Sequence, residues 1–327
     1  MGKTIIFVPG FKGSTLVDKT GQCVWPNFWR AQWHHQESLY LDLPMLNLVN
    51  PKQYQAKSII DAVNVLPGLY RYSIYGRWLD FLNQALDEST RVFYYPYDWR
   101  QDLSVISQRL AHDVIKIHQD RNDEIIFVCH SMGGLIVSDV LRQLQLAAVR
   151  QVFFVSTPFE GSLKAALYLI YGSTLGCNKT LLSAKAMATF PSVYTLLPHD
   201  QVELLSTELW EKYALGFLMQ DHGALGVVCF KQMLMLRESF YKRLESLAEY
   251  PYATEFVFIN STDYTTPTSI SFGRKISIEY GPGDGSVSSR SLAIPTYFKS
   301  LRTTQYSISK RHSLSFRDKE LFKLIFA

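Results

Sequence analysis

Short apolar runs alternate with longer amphipathic segments along most of this chain. The runs are rich in β-branched and aromatic residues, which is typical of strands buried in a sheet. Six of them predict strands, at residues 4–8, 91–94, 124–128, 151–155, 255–259 and 304–308. Amphipathic segments predict helices that cover a sheet face, at residues 75–86, 103–119 and 135–144. The alternation predicts an α/β fold with a mostly parallel central sheet flanked by helices.

Two long stretches interrupt this alternation. Residues 21–72 are rich in Trp, Asn, Pro and Tyr and show little regular periodicity. Residues 160–250 are largely helical in character and carry many Leu, Met and Tyr. Insertions at the carboxyl ends of strands lie over the binding site in α/β proteins. We therefore interpret residues 21–72 as a lid or cap insertion and residues 160–250 as a mainly helical cap, both within a single domain that spans residues 1–327.

Composition and charge exclude several classes of protein. The 327 residues are 47% hydrophobic and 19% charged, which suits a compact protein with a large core. The net charge of +4 is mild, and no basic stripe or recognition motif is present, which argues against a nucleic-acid partner. This charge is compatible with peripheral contact to an anionic membrane surface. No apolar stretch reaches the roughly 18 residues of a membrane-spanning helix.

The start of the chain and its cysteines bear on location and metal binding. Lys3 leads straight into the first predicted strand without a visible signal peptide, so we expect a cytoplasmic protein, with export by another route left open. The spacing of the cysteines contains no C-x-x-C pair and leaves a Cys23–Cys177 disulfide open. His34 and His35 are adjacent and cannot share one helix face as metal ligands would. We therefore predict neither a metal nor an organic cofactor.

The stretch Val-Cys-His-Ser-Met-Gly-Gly, residues 128–134, carries the strongest chemical signal. It lies between a predicted strand and a predicted helix. A small-x-Ser-x-Gly turn in this position lifts the serine clear of the sheet and points the first helix amides at a reacting carbonyl. Ser131 is therefore the candidate nucleophile, although an ordinary strand-to-helix turn remains the alternative. Cys129 stands where glycine is commonest, so the side chain at this position must be small.

A serine nucleophile needs a general base, and the base needs an acid that orients it. In α/β-hydrolases the chain order is serine, then Asp or Glu, then histidine. Three histidines follow Ser131, namely His199, His222 and His312. His312 follows the last predicted strand, which is where the base is expected. His130 adjoins the nucleophile, but we expect its side chain to point away and to be structural.

The acid and the oxyanion donors follow from the same chain order. Asp263 and Asp284 lie between the strand at 255–259 and the predicted base, and Asp284 is favoured because flanking glycines present it in a tight turn. We expect the oxyanion donors to be the backbone amides of Met132 and Phe11. Phe11 lies in a glycine-rich loop that lacks both the P-loop and the G-x-G-x-x-G pattern, so nucleotide binding is not indicated.

Several separated segments together resemble one enzyme family. They are residues 8–16 (VPGFKGSTL), 97–100 (YDWR), 130–134 (HSMGG), 157–162 (TPFEGS), 190–198 (FPSVYTLLP) and 283–287 (GDGSV), followed by His312. In this order, they resemble the lecithin:cholesterol acyltransferase-like branch of the α/β-hydrolases. The segments run from near the first residue to near the last, so the resemblance covers essentially the whole chain.

The resemblance implies an α/β-hydrolase fold and an enzyme of lipid metabolism. Such an enzyme transfers a fatty acyl group from a glycerophospholipid or a similar ester to a serine, and then to water or to an acceptor alcohol. Carried over by position, Ser131, Asp284 and His312 match the catalytic triad of the family, and the amides of Phe11 and Met132 match its oxyanion donors. No cofactor is implied.

The resemblance also concerns the surroundings of the site. Residues 97–100 look like a structural loop of the family, in which Arg100 pairs with a carboxylate. Secreted animal members have a disulfide-closed lid, but Cys23 has no cysteine nearby in this sequence. Residues 23–40 take the place of this lid, and its aromatic residues would lie either at a lipid interface or in the core. These lid candidates are Trp25, Phe28, Trp29 and Trp33.

The sequence leaves the final acyl acceptor open. Hydrolysis and acyl transfer differ in whether water or an alcohol reaches the acyl-enzyme, and this depends on the shape of the cap. Two further alternatives are a soluble carboxylesterase for small esters and a catalytically silent α/β-hydrolase module that binds lipid. The ordered Ser, Asp and His argue against the silent module.

Overall fold

A computed structural model describes residues 2–29, 38–43, 53–66, 70–86, 88–144, 146–213 and 216–326. The strands are β1 (Lys3–Val8), β2 (Ser14–Val17), β3 (Cys23–Trp25), β4 (Gln55–Ile59), β5 (Ala62–Leu66), β6 (Tyr70–Ser73), β7 (Thr90–Tyr94), β8 (Glu124–His130), β9 (Val149–Val155), β10 (Ser173–Leu175), β11 (Asn178–Leu182), β12 (Glu255–Asn260), β13 (Asp263–Phe272), β14 (Ile276–Asp284) and β15 (Thr303–Ser307).

Helices connect and cover these strands. The α-helices are α1 (Gly76–Ala85), α2 (Leu103–Arg121), α3 (Met132–Gln143), α4 (Leu163–Tyr171), α5 (Ala184–Met187), α6 (Pro191–Thr195), α7 (Thr207–Lys212), α8 (Phe217–Leu244), α9 (Ser289–Leu292) and α10 (Lys319–Phe326). Short 3-10 helices cover Val202–Leu205, Glu245–Glu249, Thr296–Phe298 and His312–Arg317. None of the described helices combines the length and the apolar character that crossing a bilayer requires.

The central sheet has six strands in the order β15-β12-β9-β8-β1-β7, and all neighbours are parallel. These six strands are the ones that the apolar runs predict, so the predicted α/β fold with a parallel sheet is confirmed. Between β1 and β8 the chain changes the direction in which it adds strands. Ligand sites in open α/β sheets lie at the carboxyl ends of strands beside such a switch point.

The sheet is buried on both faces, which explains why its strands read as nearly continuous apolar runs. On β1, Ile6 and Val8 pack into one core cluster, whereas Ile5 and Phe7 pack into the other. Helices α2 and α3 contribute to the first cluster, and α1 and α10 contribute to the second. The loop after β1 and the turn after β8 therefore leave from strands that are packed on both faces.

The three predicted helices are present as α1, α2 and α3. Helix α3 begins earlier than predicted, directly after Ser131, because Gly133 packs within the helix and does not interrupt it. A Cβ atom at Gly133 would lie 2.4 Å from the carbonyl oxygen of Val8. The glycine thus allows the helix to approach β1 closely.

The two insertions contain more strands than predicted. Residues 160–250 hold α4 to α8, but also the antiparallel pair of β10 and β11. In the described part of residues 21–72, β3 joins β2 and β4 in a small sheet, and β5 pairs with β6. Such short strands have too few residues to show a clear period. The roles of these insertions as lid and cap remain predictions.

Candidate active site

Ser131 lies at the sharp turn between β8 and α3, at the switch point of the sheet. Its backbone has φ 51° and ψ −125°, a conformation that residues other than glycine rarely adopt. The Ser131 amide donates to the carbonyl oxygen of Val155 at 2.9 Å, which ties the turn to β9. The neighbouring strand and helix thus hold this strained conformation in place.

The structure brings Ser131, His312 and Asp284 together. His312 Nε2 lies 2.9 Å from Ser131 Oγ, and His312 Nδ1 lies 2.7 Å from Asp284 Oδ2. An ionised carboxylate only accepts hydrogen bonds, so Nδ1 carries the proton and donates to Asp284. His312 Nε2 is then the acceptor for the Ser131 hydroxyl. This is the arrangement in which an imidazole removes a proton from a serine.

Asp284 is completely buried at the end of β14. Burial is the largest influence and acts to raise its pKa, but it is outweighed by His312 and by the amides of Ser286 and Val287. Together these groups hold the pKa of Asp284 below its ordinary value, so the carboxylate stays ionised. Asp263 is exposed at the start of β13. The geometry therefore matches the choice of Asp284 that chain order indicates.

The backbone amides of Phe11 and Met132 are available as donors. Among the described residues, neither amide donates to a protein acceptor. The adjacent amide of Gly10 is engaged, because it donates to Tyr75 Oη at 3.0 Å. Met132 begins α3, so its amide also lies at the positive end of the helix. These features suit an oxyanion hole.

A buried hydrogen-bond chain connects this loop to the candidate base. His130 Nε2 lies 3.1 Å from the carbonyl oxygen of His312, which only accepts, so Nε2 carries the proton. Burial, with a smaller effect of His312, lowers the pKa of His130 to about 3, so its ring is neutral. Tyr75 Oη therefore donates to His130 Nδ1 at 2.7 Å and accepts from the amide of Gly10. Sequence reasoning missed Tyr75, since it lies far from His130 in the chain.

The YDWR segment supports the loop that carries Phe11. Tyr97 Oη donates to the carbonyl oxygen of Pro9 at 2.6 Å, and Trp99 Nε1 donates to that of Ser14 at 3.1 Å. The guanidinium group of Arg100 binds both oxygens of Asp98, at 2.9 Å and 2.7 Å. The predicted pairing of Arg100 with a carboxylate is therefore confirmed, and the partner is within the same segment.

A cavity of about 350 Å³ opens beside Ser131 and His312. Its apolar lining consists of Phe11, Trp25, Ile74, Pro158, Ala165, Tyr168, Leu196 and Val287. The size and the apolar character are typical of a small-molecule site. Among the described residues, no three His, Cys, Asp or Glu side chains are grouped to hold a metal ion.

The predicted lid aromatics occupy different environments. Trp25 is buried at the cavity, and its Nε1 donates to the carbonyl oxygen of Lys12 at 3.0 Å. Phe28 is half-buried and lies against Trp29 with ring centres 6.1 Å apart. Trp29 is 40% exposed, so it is the described member of this set with a large solvent-facing surface. Trp33 lies outside the described residues, as do His34 and His35.

Solved structures are similar to this chain over almost its full length. A chain in the crystal structure of the Tle4–Tli4 complex shares 14% identity, with a TM-score of 0.59, and the match covers 99% of this chain and 98% of that one. The mature lipase BlEst2 of Bacillus licheniformis shares 13% identity with a TM-score of 0.47, covering 99% and 91%. At 14% identity, the similarity to the chain in the Tle4–Tli4 complex concerns the fold alone, and the parallel sheet flanked by helices is that of the α/β-hydrolases.

Comparison of sequences supplies the family. A search of curated proteins gave no significant match. The profile of the family described as lecithin:cholesterol acyltransferase matches residues 50–293, which is most of the chain. The match includes Ser131 and Asp284. The chain therefore belongs to the lecithin:cholesterol acyltransferase family and is an enzyme that acts on lipid esters.

Proposed function

We propose that the protein is a serine-dependent lipid acyl hydrolase or O-acyltransferase that forms an acyl-enzyme on Ser131. The observation that carries this proposal is the continuous hydrogen-bonded series from Ser131 through His312 to Asp284. The Met132 amide lies at the turn that carries Ser131, and the Phe11 amide lies in the loop after β1. Neither donates to a protein acceptor among the described residues. Family membership supports the lipid ester as the class of substrate.

In the proposed reaction, His312 Nε2 removes the Ser131 proton as Oγ attacks the ester carbonyl. Asp284 stabilises the resulting imidazolium, and the amides of Phe11 and Met132 donate to the oxyanion. The tetrahedral intermediate collapses, the bond to the leaving alcohol breaks, and His312 protonates that alcohol. Water or an acceptor alcohol then loses a proton to His312 and attacks the acyl-enzyme. This second step releases the acyl product and restores the serine.

The first test is labelling by a serine-directed fluorophosphonate. We expect the wild-type protein to be labelled and Ser131→Ala to remain unlabelled. Ser313→Ala is the matched control, because Ser313 lines the same cavity and has no proposed role in catalysis. Turnover of an ester should fall roughly 10⁴- to 10⁶-fold in Ser131→Ala if the three residues act as a unit.

Equal labelling of Ser131→Ala and wild type would contradict the assignment of the nucleophile. Absence of labelling and of ester turnover in the wild-type protein would instead favour the silent lipid-binding module. Labelling is read by gel fluorescence and ester turnover by product release, in both cases with protein whose folding has been checked by thermal unfolding.

The second test separates the possible acceptors. Phospholipid vesicles with a labelled acyl chain are supplied with and without a sterol or another alcohol, and the products are separated by chromatography. A labelled ester of the added alcohol indicates acyl transfer, whereas free fatty acid under both conditions rejects transfer to the alcohols tested. Faster turnover of monomeric esters than of vesicles would indicate a soluble carboxylesterase.

A further inference from the structure

A second cavity, of about 590 Å³, lies beside the YDWR segment. It is bordered by β4, by the residues that follow β7 and by helix α2. Among the residues that the structure describes, this cavity and the one at Ser131 have no lining residue in common. A cavity of this size can hold a small organic molecule, and the proposed reaction does not use it.

Tyr95 brings a hydroxyl group without a protein partner to this cavity. The residue is only 8% exposed, and within the described ranges its hydroxyl makes no hydrogen bond. Burial, followed by the carboxylate of Asp113, raises the pKa of Tyr95 to about 12, whereas Arg109 acts in the opposite direction. Both charged groups therefore lie near the hydroxyl, which stays protonated. A hydroxyl in this position is unfavourable unless water or a ligand pairs with it.

Arg109 and Asp113 both line the cavity, one helical turn apart on α2. Opposite charges at this spacing commonly pair. Here neither forms an ion pair, with the other or with a further residue of the described chain. Arg109 therefore keeps free donors, and Asp113 keeps free acceptors. Asp98, the other carboxylate of the lining, is already paired with Arg100.

These groups indicate the class of ligand. The two unpaired charges on α2 are opposite, so the lining has no excess charge to attract an ion. The side-chain amides of Gln55 and Gln101 add groups that both donate and accept. A hydroxyl group has the same double capacity, so a ligand with several hydroxyl groups can pair with donors and acceptors in one cavity. The ring of Tyr95 offers apolar surface to the carbon skeleton of such a ligand.

We propose that this cavity binds a sugar, as a neutral ligand with several hydroxyl groups, through Tyr95, Arg109 and Asp113. Hydroxyl groups on adjacent carbons of a sugar can accept from Arg109 and donate to Asp113 at the same time. Tyr95 Oη pairs with a further hydroxyl as donor or acceptor. The proposal does not depend on the acyl-enzyme at Ser131.

The position of the cavity separates the sugar from the reacting ester. Tyr97 lines the cavity, and its Oη donates to the carbonyl oxygen of Pro9 at 2.6 Å, in the loop that carries Phe11. A bound sugar would therefore contact a residue that supports this loop and none of the groups that react. We expect the sugar to bind without competing with the ester.

The test uses the methyl glycosides of glucose, galactose and mannose as probes. Saturation-transfer NMR detects binding to the wild-type protein, and titration gives the Kd. We expect at least one glycoside to bind. Its Kd should rise roughly tenfold or more in Arg109→Met and in Asp113→Ala, since each loses a hydrogen bond to a charged group. Tyr95→Phe loses a neutral hydrogen bond and should raise the Kd by a smaller factor, roughly threefold.

Asp120→Ala is the matched control, because Asp120 is exposed on the same helix and lies outside the lining. It removes the same charge as Asp113→Ala, and its Kd should equal that of the wild type. Failure of all three glycosides to bind would overturn the proposal. So would an unchanged Kd in Asp113→Ala, or an equal rise in Asp120→Ala. Thermal unfolding verifies that each variant is folded.

Two further probes define the ligand more closely. Glucose 6-phosphate that binds more tightly than methyl glucoside would overturn the assignment to a neutral ligand. Octyl glucoside, used below the concentration at which it forms micelles, distinguishes a free sugar from the sugar headgroup of a lipid. An affinity that depends on Asp113 and equals that of methyl glucoside supports a free sugar. A tighter affinity that depends on Asp113 supports a lipid headgroup.

Kinetics with a soluble ester test the separate position of the cavity. A saturating concentration of the methyl glycoside that binds should leave the KM for the ester unchanged. A competitive rise in KM would show that the sugar occupies the cavity at Ser131 and would overturn the proposal. Fluorophosphonate labelling reports separately on Ser131: unlabelled protein that binds the glycoside refutes the proposed function alone.

Discussion

Asp284 holds the proton of His312 on Nδ1, and this assignment determines the direction of the hydrogen bond to Ser131. The neighbouring His130 has the opposite tautomer, because its Nε2 faces a carbonyl oxygen. Two histidines that lie close together thus carry the proton on different ring nitrogens, because their hydrogen-bond partners differ. Single side chains therefore determine the chemistry, and substituting them should have measurable effects on turnover and stability.

Tyr75→Phe should impair the site although Tyr75 takes no part in the proposed proton transfers. The change removes the donor to His130 Nδ1 and the acceptor of the Gly10 amide, both buried. Leaving such groups unpaired costs about 1–3 kcal/mol, so we expect kcat to fall roughly tenfold and thermal stability to decrease. The kcat is measured with a soluble ester, and the stability is measured by thermal unfolding.

Tyr171→Phe is the control for this substitution, since Tyr171 is an exposed tyrosine at the end of α4. It should behave as wild type. If Tyr75→Phe lowers the melting temperature and leaves kcat unaltered, the hydrogen-bond chain stabilises the fold without positioning the site.

Cys129 tests the packing beneath the nucleophile. It is completely buried on β8, opposite Val8 of β1 and Phe154 of β9. Cys129→Gly should keep ester turnover, whereas Cys129→Leu should impair it, because overpacking a core costs about 1–3 kcal/mol. The rate of fluorophosphonate labelling measures the effect at Ser131. Full activity of the leucine variant would show that the turn tolerates a large side chain.

Helices and strands carry these residues into position from separate parts of the chain. The loop after β1 supplies Phe11, and the turn after β8 supplies Ser131, at neighbouring strands of the sheet. Asp284 ends a β-hairpin and His312 begins a 3-10 helix. Helix α3 starts at Met132, so any shift of α3 against the sheet also moves the nucleophile and one oxyanion donor.

Asp139 holds α3 against its neighbours. This buried carboxylate accepts from Ser107 Oγ on α2 and from Arg142 Nε at 2.9 Å. Asp139→Asn should lower the free energy of unfolding by about 1.5–3 kcal/mol, because the buried carboxylate loses the charge that strengthens its hydrogen bonds. Urea denaturation checks this value. Asp120→Asn, at an exposed position on α2, should leave it unchanged, and equal losses in both variants would contradict the role of Asp139.

The stability of the protein as a whole should depend on pH through two histidines. Burial is the main cause that lowers the pKa of His130 to about 3 and that of His199 to about 4. In the unfolded chain both titrate near pH 6.5, so between pH 6.5 and about 4 the unfolded state binds more protons. The free energy of unfolding should therefore fall as pH decreases through this window, by up to about 1.4 kcal/mol per pH unit for each histidine.

Urea denaturation at several pH values between 7.5 and 4.5 measures this slope. His130→Gln should show a shallower slope than the wild type, because Gln does not titrate. His112→Gln, which alters an exposed position on α2, should keep the wild-type slope. A slope in His130→Gln as steep as that of the wild type would refute the assignment to His130.

Local sequence patterns predict much of the architecture. The six strands of the sheet are apolar runs because they are buried on both faces, and the turn at Ser131 has a recognisable strand–Ser–helix pattern. The hairpin of β13 and β14 was missed, since its strands are partly exposed and lack a clear alternation. Asp284 was nevertheless indicated, because chain order and its flanking glycines do not require knowledge of the hairpin.

Local patterns and chain order were sufficient for the parallel sheet, the position of Ser131 and the order of its partners. Distances, tautomers and burial required the folded chain, because they depend on groups that are remote in sequence. Tyr75 and His130 are 55 residues apart. Periodicity reports which face of an element is buried, but it carries no information about which remote side chain lies opposite.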